Sequence, residues 1–316
     1  MIRSIARALL CLAALTMSQS TAHAQQKLRF AYLKSTTLLP FFLADQKGYF
    51  KEEGLELEFI AVAGGPAVAA AIAGGSADIG YAAPTPIAIA REQGQPYRFF
   101  IGLEREKFPT NLWGHIIASE RSGVKTLTEL AGKTIILGAP GGLCELAVRE
   151  WVAKGGAKWA DIKPLFQPFP QMQAALEVGN ADVACIIEPF YTAAMASKAN
   201  PVRLASGYLA EHPKPYAVDG IFAKEDWIAA NAKAIEGIKR AVLKAGAELA
   251  KDPVAVAAIL KDEFRFPPAL VAKIRTDYGA TVGITAEDFE PIITQMKVHG
   301  MLKSGITAAD LVSPAK

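Results

Sequence analysis

The chain has 316 residues, 51% of them hydrophobic, and carries 34 Lys and Arg against 31 Asp and Glu. A balance this close to neutral, with no basic run, argues against nucleic acid as a partner. Three cysteines make no disulfide framework.

Residues 1–24 read as a secretory signal. Arg3 and Arg7 form a basic start, Ala8 to Met17 a short apolar core, and Ala22-His23-Ala24 an A-x-A cleavage site, so the mature chain is expected to begin near Gln25. The apolar core is too short to span a bilayer, and Cys11 lies too far from the cleavage point to carry a lipid. An exported, soluble protein is expected, with the bacterial periplasm as its compartment. Without Arg3 and Arg7 the balance is 32 basic against 31 acidic residues. The roughly 290 residues that remain suit two globular lobes better than one. Cys144 and Cys185 are left; they can pair in an oxidising compartment, but buried free thiols are the expected state.

Leu28 to Leu33 reads as a first strand, followed by Lys34-Ser35-Thr36-Thr37 and an apolar helix with Pro40 in its first turn. Gly48 closes that helix. Phe50 to Gly54 is a turn, and Leu55 to Phe59 alternates as a second strand. Gly64-Gly65-Pro66 opens a helix over 67–73. Ile79 to Ala82 is a third strand, ended by Pro84-Thr85-Pro86, with a helix to Arg91. Phe99 to Leu103 is a fourth strand. Further on, Thr134 to Ala139 is a buried strand broken by Pro140-Gly141-Gly142. Leu143, Leu146, Ala147 and Val148 then fall at helical spacing, and Glu145 suits the positive end of the helix dipole. Such a turn lets backbone N–H groups face a small anion, although most strand–glycine–helix turns only connect elements. It is neither GxGxxG nor GxxxxGK, so a nucleotide is not indicated.

Ala71-Ile72-Ala73-Gly74-Gly75-Ser76-Ala77-Asp78-Ile79 is echoed by Ala175-Leu176-Glu177-Val178-Gly179-Asn180-Ala181-Asp182-Val183. Both read helix end, glycine cap, Ala-Asp, strand. The simplest account is two lobes on one α/β plan; the competing account is chance, since this is a common connection. The chain is expected to cross between lobes near Asn111 to Ile117 and to return near Tyr216 to Phe222. Lobe one then comprises 25–113 and 220–316, and lobe two 114–219. Lobe two continues through Leu127–Leu130, Ile162 to Gln167, a helix from Gln171 to Val178 and a strand from Asp182 to Ile187. The tail is read as helices over 233–249, 253–260, 269–278 and 286–297, which cannot close a core alone and are assigned to lobe one.

The runs Tyr32-Leu33-Lys34-Ser35, Gly48-Tyr49-Phe50-Lys51-Glu52-Glu53-Gly54-Leu55, Gly74-Gly75-Ser76-Ala77-Asp78, Ser122 to Lys133 and Glu188-Pro189 resemble the solute-binding proteins of ABC importers for nitrate, alkylsulfonates, taurine and thiamine precursors. The resemblance covers essentially the whole mature chain. It implies a two-lobed periplasmic binding protein of type II, each lobe a mixed sheet flanked by helices, with two hinge crossings. Such a protein closes over one small ligand, delivers it to a membrane permease, works as a monomer and needs no cofactor or metal.

In open α/β sheets, ligands sit outside the carboxyl ends of the strands. The loops there are Lys34–Thr37, Gly64–Pro66, Ala83–Thr85, Pro140–Cys144 and Glu188–Phe190, which gives candidate binding residues Lys34, Ser35, Thr36, Thr37, Gly64, Gly65, Pro84, Thr85, Gly141, Gly142, Leu143, Cys144, Glu188 and Phe190. Gly141, Gly142 and Leu143 would offer N–H groups to an anionic head. Ser35, Thr36 and Thr37 would add hydroxyls, with a helix N-cap as the alternative. Lys34 would supply a cation or lie solvated on the surface. Glu188 would take a ligand amine or join the contact between lobes. Phe190 and Tyr191 suit a core as well as a ligand-stacking role. Gly114 and Gly220 are candidate hinges.

Sulfonate-type members of the family carry hydroxyl and histidine residues at the start of the lobe-two helix, where this chain has Gly142-Leu143-Cys144. A hydrated oxyanion would lose about 1–3 kcal/mol for each polar group buried without a partner. The expected ligand is therefore an organic anion with an apolar body, a larger sulfonate or a carboxylate; the alternative within the family is a thiamine-pyrimidine precursor. An enzyme is not expected. His23, His115, His212 and His299 form no HExxH pattern, and there is no GxSxG elbow. A Cys144–His115 pair is the one nucleophile to weigh. No cysteine-rich iron motif or DNA-binding helix pair is present.

Overall fold

A computed structural model describes residues 25–274, 282–303 and 305–314. The signal and the second half of the expected 269–278 helix lie outside these residues. In chain order the elements are β1 (Gln26–Tyr32), α1 (Leu39–Gln46), α2 (Tyr49–Glu52), β2 (Leu55–Ala61), α3 (Gly65–Ala73), β3 (Ile79–Ala82), α4 (Pro84–Glu92), β4 (Tyr97–Gly102) and β5 (Arg105–Glu106). Next come β6 (Gly114–Ala118), β7 (Thr134–Leu137), α5 (Leu143–Lys154), β8 (Lys163–Phe166), α6 (Phe169–Val178), β9 (Val183–Ile187), α7 (Phe190–Met195), β10 (Val202–Ser206) and β11 (Tyr216–Ala217). The chain continues with β12 (Gly220–Lys224), α8 (Glu225–Ala230), α9 (Ala232–Leu249), α10 (Pro253–Phe264), α11 (Pro268–Val271), α12 (Ala286–Val298) and α13 (Ala308–Leu311).

Two five-stranded sheets follow one plan. The first runs β2-β1-β3-β12-β4 and the second β8-β7-β9-β6-β10. In each, three parallel strands are followed by an antiparallel one that begins just after a crossing: β12 against β3, and β6 against β9. The echo in the sequence has a physical counterpart. Asp78 accepts from the backbone N–H of Arg29 at 2.8 Å, and Asp182 accepts from that of Thr134 at 2.8 Å. Each Asp thereby satisfies an N–H of the neighbouring parallel strand, and Gly75 and Gly179, both at positive φ, turn the chain out of the preceding helix to reach it.

Both crossings pass through a two-stranded ribbon in which β5 pairs with β11, Glu106 opposite Tyr216. The first crossing thus runs over 103–113 and overlaps only the start of the expected Asn111–Ile117, because residues 114–118 already belong to the second sheet. Gly114 and Gly220, the candidate hinges, are each the first residue of a strand. A Cβ at Gly114 would meet the Tyr208 ring at 2.6 Å, and one at Gly220 would meet the Ile101 carbonyl oxygen at 2.3 Å, so close approach is what requires glycine there. Glu106 is fully buried and ties the crossings together. It accepts from the N–H groups of Trp113 (2.6 Å), Gly114 (3.0 Å) and Tyr208 (2.7 Å), and from the Tyr216 hydroxyl. The tail helices pack on the first-sheet side, α9 and α10 against α1, and α12 against α4. Among the described residues no helix is long and apolar enough to cross a membrane.

The two cysteines are not free thiols. Cys144, the second residue of α5, and Cys185, in the middle of β9, form a disulfide with Cα atoms 5.7 Å apart. Packing the helix start on the central strand of its sheet brings the two within bonding range despite 41 residues of separation.

Candidate ligand site between the two sheets

A cavity lies where the strand ends of the two sheets face each other. Its wall takes Leu33 and Ser35 after β1, Ala63 to Gly65 after β2, Ala83 after β3, Gly138 and Ala139 after β7, Phe169 after β8, and Ile187 and Glu188 after β9. Its volume is about 70 Å³, where a single water needs about 10–15 Å³. The space suits a compact solute in a largely apolar setting. The two glycine-marked turns abut: a Cβ at Gly64 would stand 3.2 Å from that of Ala139.

Of the residues expected from the sequence, Ser35, Thr37, Gly64, Gly65, Gly142, Leu143, Cys144 and Glu188 stand on this wall. Lys34, Thr36, Pro84, Thr85, Gly141 and Phe190 do not. The Lys34 ammonium donates to the Glu263 carbonyl at 2.7 Å and lies 5.9 Å from the Phe264 ring. The hydroxyls of Thr36 and Thr85 are buried away from the wall without a hydrogen-bond partner. Pro84 is buried in the first turn of α4. Phe190 packs into an aromatic cluster with Phe169, Phe264 and Phe266. Ser35 caps the turn that follows it, accepting from the Thr37 N–H at 3.3 Å, and its hydroxyl donates to that of Thr37 at 3.1 Å.

The anion cradle expected at the start of α5 is narrower than the sequence suggested. The Gly141 N–H donates to Glu145 at 2.9 Å and the Gly142 N–H to the Ala139 carbonyl at 3.0 Å, so neither is offered to a ligand. Glu145 caps its own helix and also binds Arg149 at 2.7 Å. What remains is the first turn itself: the N–H groups of Leu143 and Cys144 have no helical acceptor and sit at the positive end of the dipole. The disulfide holds that turn in place.

Sequence reasoning missed Trp113, Tyr81, Tyr208, Val218 and Asp219, all on the wall. Two of them share a cause. Gly114 pairs with Ile187 and Gly220 with Ala82, so an antiparallel strand presents its beginning, not its end, at the cleft. The residue just before each such strand, Trp113 or Asp219, therefore faces the site. Reading β6 and β12 as sheet strands with reversed direction would have exposed this signal.

Asp219 is 6% exposed. Its carboxylate accepts from the Tyr81 hydroxyl at 2.6 Å and the Glu104 N–H at 3.0 Å. Burial outweighs these bonds and pushes its pKa up to about 6. Burial and the neighbouring Asp219 raise the Tyr81 phenol well above its ordinary value. Glu188 accepts from both the N–H and the hydroxyl of Thr192. No Lys, Arg or His stands on the described wall. Cys144 has no free thiolate for a nucleophile, and the ring of His115 stacks on Tyr191 with centroids 3.9 Å apart. Among the described residues no group of three or more His, Cys, Asp and Glu is arranged to hold a metal ion.

Comparison with known proteins agrees with this geometry. The family described as NMT1/THI5 like matches residues 35–256. A curated Escherichia coli (strain K12) protein, named for binding aliphatic sulfonates, is 24% identical over 180 residues, 57% of this chain and 55% of that protein. The nitrate/nitrite binding protein NrtA of Nostoc is 25% identical over 236 residues, 69% of this chain and 53% of that one. The chain thus spans about half the length of these curated relatives. Among solved structures, the alkanesulfonate-binding protein SsuA of Xanthomonas axonopodis pv. citri bound to MOPS superposes with a TM-score of 0.77 at 21% identity, covering 92% of this chain and 98% of that one. The chain belongs to the NMT1/THI5-like family, and its fold is that of the two-lobed periplasmic solute-binding proteins.

Proposed function

We propose that the protein is the solute-binding component of an ABC importer, which captures a small organic anion with an apolar body in the periplasm and delivers it to a membrane permease. The observation that carries this reading is the cavity walled by strand ends of both sheets, with two crossings between them. Residues 25–113 and 220–316 form one lobe and 114–219 the other, closing about the β5–β11 ribbon. The anionic head meets the N–H groups of Leu143 and Cys144, and the hydroxyls of Ser35 and Thr37 stand on the opposite wall. The protein acts as a monomer, without cofactor, metal or nucleic acid, and returns its ligand unchanged. The relatives support the reading, since they are named for binding alkanesulfonates and nitrate.

The test is mass spectrometry of small molecules released on denaturing the purified protein, followed by a thermal-shift screen of sulfonates, carboxylates and nitrate. An organic acid that is retained, or that raises the melting temperature, is the expected result. Stabilisation by nitrate with no organic acid effective would overturn the ligand class. A protein that retains nothing and responds to nothing, or that converts the bound compound on incubation, would overturn the role.

A further inference from the structure

Resting on that reading, one feature of the wall narrows the ligand further. Asp219 is a buried carboxylate whose donors, the Tyr81 hydroxyl and the Glu104 N–H, are both neutral. A carboxylate offers about four acceptor positions. Two are taken by these donors, and the residue lines the cavity. A buried charge is tolerated when paired, and this one has only dipoles from the protein. The nearest expected cation, Lys34, is committed to Glu263 and stands off the wall. An acid with no compensating group, placed beside this carboxylate, would add a second uncompensated charge to the same low-dielectric space.

We propose that the captured acid also carries a hydrogen-bond-donating nitrogen, a protonated amine or a heterocyclic N–H, which donates to Asp219. The ligand is then amphoteric. Its acidic head lies at the start of α5 and its nitrogen at the strand end between β12 and β3, with the apolar body between them against Leu33, Phe169 and Ile187. Asp219 works as the specificity residue that rejects the plain acid of the same shape.

The experiment uses the full mature chain, freed of retained ligand by unfolding and refolding. Calorimetric titration compares matched probes: 4-(aminomethyl)benzoate against 4-methylbenzoate, and 3-aminopropane-1-sulfonate against propane-1-sulfonate. The amine-bearing partner of at least one pair is expected to bind 10-fold or more tightly, and Asp219→Asn is expected to reduce that preference to 2-fold or less. Tyr81→Phe, which removes a neutral donor and keeps the carboxylate, should retain the preference. Equal or tighter binding of the amine-free partners would overturn the proposal, as would a preference that survives Asp219→Asn. Should Asp219→Asn fail to fold, the retained ligand decides: a released compound without an N–H donor overturns the proposal and leaves the importer role standing. Absence of any binding removes both.

Discussion

Glu106 shows how much a single residue holds in this molecule. Its two oxygens each accept two bonds, Oε1 from Trp113 and Gly114, Oε2 from Tyr208 and Tyr216. These partners lie on both crossings, so the carboxylate fixes the ribbon through which the chain passes between the two sheets. Glu106→Ala leaves four buried donors without an acceptor and is expected to cost at least about 3 kcal/mol. Glu106→Gln should cost nearly as much, because whichever way the amide turns, its NH2 faces donors. Urea denaturation of both variants checks this; a Gln variant as stable as wild type would contradict the accounting. The disulfide works at the same scale. Joining positions 41 residues apart stabilises the chain by about 4 kcal/mol in the chain-entropy account. Cys144→Ser with Cys185→Ser should lower the unfolding free energy from urea denaturation by about that amount, and a reducing agent should no longer affect the variant.

At the scale of elements, the repeated helix–glycine–Asp–strand connection makes the sharpest prediction. Asp78→Ala and Asp182→Ala each remove an acceptor from a strand N–H and should each cost about 1–2 kcal/mol. They sit in different sheets and share no partner, so the double variant should show the sum. A marked departure from additivity in the melting curves would mean that the two sheets are energetically coupled through these turns. This repeat was legible in the sequence because local chemistry sets it: a positive-φ glycine, a short acid and an apolar run. The parallel strands and tail helices were legible for the same reason, through periodicity and proline or glycine punctuation. The antiparallel strands were not. Gly114–Ala118 and Gly220–Lys224 read as crossings because their partners lie about 70 to 140 residues away in the chain, at Ile187 and Ala82, and no local pattern encodes strand direction. Trp113 and Asp219 went unseen with them. Eight of the 21 wall residues were still reached, since Ser35, Gly64, Leu143 and Glu188 follow parallel strands whose ends the sequence does mark. The disulfide was missed because Cys144 and Cys185 meet only after α5 packs on β9.

For the whole molecule, the second sheet is built from one continuous stretch of chain, whereas the first is completed by β12, so the first sheet is not finished until both crossings are made. That design leaves two carboxylates, Glu106 and Asp219, buried beside the crossings, and the pH dependence of stability follows from them. Burial raises the pKa of both, that of Asp219 from 3.8 to about 6. Between about pH 4 and 6 the unfolded chain has already released the Asp219 proton while the folded chain still holds it. The folded state binds more protons there, so stability falls as pH rises through this window, by roughly 3 kcal/mol from Asp219 at about 1.4 kcal/mol per pKa unit. Asp78 and Asp288, paired with Arg29 and Arg105, have lowered pKa values and act in the opposite sense, losing their contribution below their ordinary titration range. The two trends place maximal stability near pH 4–5 instead of at neutrality. Melting temperature measured from pH 4 to 8 should peak there for the wild type. In Asp219→Asn the descent from the peak to pH 7 should shrink, and the remainder belongs to Glu106 and to Asp45, whose pKa burial also raises. An equally steep descent in that variant would show that Asp219 is already ionised at little cost, with its two neutral donors offsetting the burial.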